Sequence, residues 1–194
     1  MENLPEESLK KYNQLYLAII LRYKDYIEEK EKLNVAELPK LITPQDESVA
    51  AISNRIKSAF QNYSYPRDFE AAARFAFEYV KNEISNVSLP IEFWLMPSET
   101  IKSEAGDVFD RATLLCSIFL ALGNVSSKVV IVTGSTARKF IVYAELGQKI
   151  ISHDLEDGPR QFPDKEAFIK SLRLDSDDEL TAYEFSDKMY NSLA

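Results

Sequence analysis

Tyr12, Leu15, Tyr16, Ile19, Tyr23, Tyr26 and Ile27 recur at steps of three and four residues, a stripe that predicts one long helix from about Glu6 to Leu33. Leu17, Ile20 and Leu21 fall on its other side. The helix therefore reads either as a core element covered on more than one face or as one that pairs with a second copy of the chain. Thr43, Pro44 and Asp46 have the order of an N-cap, a first helical residue and a capping-box acid, which predicts a helix over 44–62. Tyr63, Tyr65 and Pro66 interrupt it. Phe69, Ala72, Ala73, Ala76, Phe77 and Val80 then mark a third helix ending near Ile84.

Between Asn86 and Ser103 the periodicity is lost and Pro90, Trp94 and Pro97 fall in an irregular connection. Gly106 or Asp107 opens a fourth helix. Its residues Ala112, Leu114, Leu115, Ile118, Phe119, Ala121 and Leu122 are apolar nearly all round, the pattern of a buried helix, and Gly123 supplies its C-terminal stop. Three β-branched or aromatic runs follow, 128–133, 140–145 and 149–152, parted by Gly134 with Ser135 and by Gly147 with Gln148, and they read as consecutive antiparallel strands. Segments 164–172 and 177–191 are expected to close the chain as helices. Helices first, a buried helix, then a meander is the α+β arrangement, with a small antiparallel sheet of about three or more strands. The expected organisation is a single domain, with a helical extension over 1–43, a core over 44–158 and a C-terminal helical segment over 159–194.

Composition narrows the function classes. At 194 residues, 45% hydrophobic, with few glycines and prolines, the chain is a globular protein and not a disordered one. Its formal net charge of −8, with no basic run longer than two, argues against a nucleic-acid partner. The longest wholly apolar run, Leu15 to Leu21, is far shorter than the roughly 20 residues of a membrane span. The polar, acidic first residues lack a secretory pattern, so a cytoplasmic protein is expected. One cysteine, Cys116, and one histidine, His153, leave no cluster for zinc, and no cofactor is expected.

Residues 94–122 read W-L-M-P-S-E-T-I-K-S-E-A-G-D-V-F-D-R-A-T-L-L-C-S-I-F-L-A-L and run through Gly123 into the strand around Val129. This stretch resembles the transglutaminase-like superfamily of the papain-like fold, whose members show W-x-x-P-x-E-T, then G-D-C-x-D at the start of the central helix, then a three-stranded meander. The resemblance spans roughly 71–155. It implies a cysteine nucleophile at the N-terminus of the buried helix, a histidine base on a following strand and an aspartate that orients the imidazole. Carried onto this chain, the cysteine slot falls on Val108. The histidine slot falls on Lys139, or on Arg138 with a one-residue slip, and the aspartate slot on Asp154. Only the orienting member is of the family's type.

No other residue takes over cleanly. Cys116 lies eight residues beyond Val108, about 12 Å along a helix and about 80° round it, and its neighbours make it a small buried hydrophobe. His153 adjoins Asp154 on a strand, so the two point to opposite faces. Asp107 and Asp110 have the spacing of a capping pair. Alternatively they form, with Asp154 and Lys139, a polar remnant pocket for a cation or small ligand. Asp175, Asp177, Asp178 and Glu179 lack the glycine and final glutamate of a calcium loop, where Leu180 and Ser186 stand, and read as a solvated helix start. Trp94, Tyr63 and Tyr65 either line a groove over the cleft or anchor the loops. Three functions follow as expectations: a catalytically inactive transglutaminase-like domain that binds a protein or peptide, an enzyme of altered, non-thiol chemistry using Asp110, Asp154, Lys139 or His153, and a homodimer formed through the first helix.

Overall fold

The computed structural model describes residues 6–31, 35–134, 138–172 and 181–193. The chain divides into two compact units, residues 1–32 with 89–94 and residues 33–88 with 95–194. In the first, the expected single helix is two, α1 (Glu6–Arg22) and α2 (Lys24–Glu31), separated at Tyr23. None of the residues of α1 is buried, so it is not the core element its stripe allowed. The backbone N–H of Glu92 donates to Glu28 Oε1 at 3.0 Å, tying the inserted segment to α2.

The second unit is an α+β fold. A 3₁₀ turn (Val35–Leu41) leads to α3 (Glu47–Ser58), which starts three residues later than the Thr43 cap predicts. Asp46 is the N-cap, its carboxylate accepting from the N–H groups of Ser48 and Val49, while the Thr43 backbone donates to Ser117 Oγ instead. The third helix, α4 (Phe69–Glu83), buries Phe69, Ala72, Ala73, Ala76, Phe77 and Val80, its predicted stripe. After strand β1 (Ser85–Asn86), the irregular connection contains a short helix, α5 (Pro97–Ser103), followed by β2 (Ala105–Gly106), which pairs with β1.

The fourth helix is α6 (Val108–Ala121), with every residue from Phe109 to Phe119 buried. Its hydroxyls turn back on its own carbonyls, Thr113 to Asp110 and Ser117 to Thr113, so they enter the core satisfied. Lys57 Nζ and Tyr63 OH donate to the carbonyls of Ala121 and Leu122 at 2.8 and 2.7 Å, closing its C-terminus. Gly123 follows at φ +104°, a conformation side chains disfavour, and a Cβ there would stand 3.3 Å from the Tyr65 Cβ.

The meander is β3 (Lys128–Thr133), β4 (Arg138–Leu146) and β5 (Lys149–Asp154), extended by β6 (Gly158–Phe162). Helix α7 (Lys165–Ser171) matches the first expected closing helix. The second is corrected. Part of it, 177–180, lies outside the described residues, and the rest forms strands β7 (Thr181–Phe185) and β8 (Tyr190–Ser192). Here Thr181, Tyr183 and Phe185 alternate at period two, and pairing with β3 supplies the backbone with partners. The sheet order is β6-β5-β4-β3-β7-β8, with all neighbours antiparallel. Among the described residues no helix is long and apolar enough to cross a membrane.

The sheet has two covered faces. Phe140 and His153 point towards α6, meeting Phe109 and Phe119. Val130, Ile141, Tyr143 and Ile150 point the other way and pack with Phe168 of α7. On this second face Glu184 is buried and accepts from Lys128 Nζ at 2.9 Å, Lys165 Nζ at 2.9 Å and Tyr143 OH at 2.6 Å. Burial alone pushes its carboxyl up, and these three donors more than reverse that, holding it below the usual carboxylate range. Glu184→Ala leaves two lysines and a phenol unpaired and should cost about 3 kcal/mol in urea unfolding. A loss under about 1 kcal/mol would place the network's weight on its solvated lysines.

Candidate functional site

The start of α6 is set by two aspartates that cap one another. Asp107 Oδ1 accepts the Asp110 N–H at 2.9 Å, and Asp110 Oδ2 accepts the Asp107 N–H at 3.0 Å. Asp110 Oδ1 also accepts the N–H of Leu95 at 2.8 Å, fastening the preceding connection to the helix. Burial pushes the Asp110 carboxyl up to about 6, partly offset by its bond from Leu95. A Cβ on Gly106 would stand 2.8 Å from the Asp110 Cβ, so this close approach requires glycine. Both aspartates are thus spent on structure.

Val108 is half-buried in the first turn of α6. The β4 side chain that meets this turn is neither Lys139 nor Arg138 but Phe140, whose ring lies edge-on to Phe109 with centroids 5.3 Å apart. Phe185 completes the cluster, 6.1 Å from Phe109. The junction between the start of α6 and strand β4 is filled by aromatic rings. Sequence reasoning missed Phe140, although its alternation with Val142 and Ala144 marks the face that covers the buried helix.

Lys139 and Asp154 do come together, with Nζ and Oδ2 at 2.9 Å, but on the opposite face of the sheet from Val108. Asp154 is buried, and its Oδ1 accepts the N–H groups of Glu156 and Asp157 at 2.8 and 3.1 Å, shaping the β5–β6 turn. Lys139 Nζ bonds Asp157 as well. Burial presses the ammonium's pKa down, but the hydrogen bonds it donates to Asp157 and Asp154 outweigh that and hold Lys139 above the ordinary lysine range. That is opposite to the direction a lysine general base needs. These groups and Arg160 border a cavity of about 340 Å³ floored by Phe162 and Phe168. Arg160, Phe162 and strand β6 carried no clear sequence signal, since Pro159 is tolerated only because β6 is an edge strand.

The remaining candidates are dispersed. Cys116 is completely buried in mid-helix, and burial drives its thiol well above the usual range. His153 is buried between Phe77 and Phe119, with ring centroids 5.5 and 5.0 Å away, and its Nδ1 has no hydrogen-bond partner among the described residues. Arg138 is exposed. Trp94 is half-buried and belongs to the first unit. Tyr63 caps α6, and Tyr65 packs edge-on against Phe69 at 5.7 Å, so both anchor loops. Arg111, unremarked in the sequence, is buried and donates to the carbonyls of Val80 and Lys81, both at 3.3 Å, placing its charge at the negative end of α4. The remnant pocket of Asp107, Asp110, Asp154 and Lys139 is not assembled. Among the described residues no group of three or more His, Cys, Asp or Glu could hold a metal ion.

Among solved structures, the chain is similar to calcium-bound LapG of Legionella pneumophila, with a TM-score of 0.46 and 14% identity over 74% of this chain and 87% of that one. No family model and no curated protein matches the chain.

Burial lowers the His153 pKa from 6.5 to about 4, with Arg74 lowering it further and Glu70 raising it. The unfolded chain then binds more protons than the folded one between these values, so folding loses stability as pH falls through that window. His153→Leu removes this dependence. Its stability relative to the parent should rise by roughly 3 kcal/mol between pH 7 and pH 4 in urea unfolding, and an unchanged difference would place His153 in contact with solvent.

Proposed function

We propose that the protein is a catalytically inactive transglutaminase-like domain that serves as a peptide- or protein-binding module. The observation that carries this reading is the pairing of Phe109 with Phe140 at the helix start, where thiol chemistry needs a cysteine beside an imidazole. An apolar, ring-filled junction neither ionises a nucleophile nor moves a proton. The alternative of non-thiol chemistry receives less support, because Lys139 is held charged between Asp154 and Asp157, and His153 is buried against Phe77 and Phe119. What the fold still offers is a partly apolar cavity on the α7 face, suited to binding rather than turnover.

The unmodified chain is expected to show no thiol-dependent hydrolysis or acyl transfer on peptide and amide substrates; measurable turnover abolished by thiol alkylation overturns the proposal. Iodoacetamide should label Cys116 at least roughly a thousandfold more slowly in the native protein than in urea, as read by intact mass. Val108→Cys combined with Lys139→His should gain no activity, because the two positions lie on opposite faces of the sheet.

A further inference from the structure

We infer that the cavity over β4, β5 and β6 binds an apolar α-carboxylate, presented as the last residue of a peptide. The inference rests on the reading of the protein as a binding module and names what the module takes. Its first support is the balance of unspent hydrogen-bonding capacity. Asp154 Oδ1 already accepts two backbone N–H groups and its Oδ2 holds Lys139, while Asp157 Oδ2 holds Lys139 and, at 3.5 Å, Arg160. The donors are less committed. Lys139 has three protons for two carboxylates, Arg160 has five N–H groups and, among the described residues, one long pair, and the buried Ser152 brings its hydroxyl to the same cavity. A ligand entering here must bring acceptors, and a planar carboxylate matches the fork of Arg160.

The second support is the floor. Phe162 and Phe168 lie 5.5 Å apart and present ring surface beneath the polar rim. A branched apolar side chain next to the carboxylate would cover them. An ammonium group would have to share Asp154 and Asp157 with the cations Lys139 and Arg160, which already stand against them. The volume of about 340 Å³ is at the small end for ligand pockets and admits a terminal residue rather than a length of chain.

The test is a titration of the ¹⁵N-labelled full chain with N-acetyl-Gly-Leu, with its C-terminal amide, and with 4-methylpentanoate. The free-acid peptide should shift the backbone signals of Ser152, Asp154 and Phe168. The amide should bind at least about tenfold more weakly, and Arg160→Gln should weaken the acid by about the same factor without affecting the amide. Arg160 is largely exposed on an edge strand, so this variant should keep the parent melting temperature. Equal binding of acid and amide overturns the carboxylate assignment. Binding of 4-methylpentanoate as tight as the peptide acid overturns the peptide source in favour of a free carboxylate. Shifts confined to another face, or none at millimolar ligand, overturn the site. The binding-module reading falls separately, through thiol-dependent turnover.

Discussion

A helix that is apolar on nearly every side has to be enclosed, and enclosing α6 governs the second unit. Its flanks are covered by α3, α4, α5 and the sheet, and every residue from Phe109 to Phe119 is buried. Each end therefore has dedicated partners. Asp107 and Asp110 satisfy the first turn and bind the Leu95 N–H, and Lys57 and Tyr63 satisfy the last. The same first turn presents Phe109 to Phe140 of β4.

Strand alternation explains why the polar residues do not combine into one site. Consecutive residues of β4 and β5 face opposite layers. Phe140 and His153 meet the α6 layer, whereas Lys139 and Asp154 meet the α7 layer. The sheet lies between the two sets. On the α6 side His153 is buried against Phe77 and Phe119, which holds its pKa below the ordinary histidine value, and the α7 side carries the Lys139 cluster with its cavity.

The two ionic clusters on the α7 side differ in what they leave available. Glu184 is buried with Lys128, Lys165 and Tyr143 arranged on it, so its carboxylate is spent. The Lys139, Asp154, Asp157 and Arg160 group opens onto a cavity and retains donors.

By itself the sequence determined the buried α6 with its Asp107–Asp110 cap and Gly123 stop, the α4 stripe, the three strands of the meander and the absence of a cysteine at Val108. Those features rest on local periodicity and capping chemistry, which are written in neighbouring residues. Only the tertiary structure decided that 181–185 joins the sheet, since a strand's hydrogen bonds come from a distant partner, here β3. It also decided that Phe140 rather than Lys139 meets the helix, because one residue of register moves every side chain to the other face. The cavity had no local signal at all. Its walls come from three strands and a helix that only the folded chain brings together.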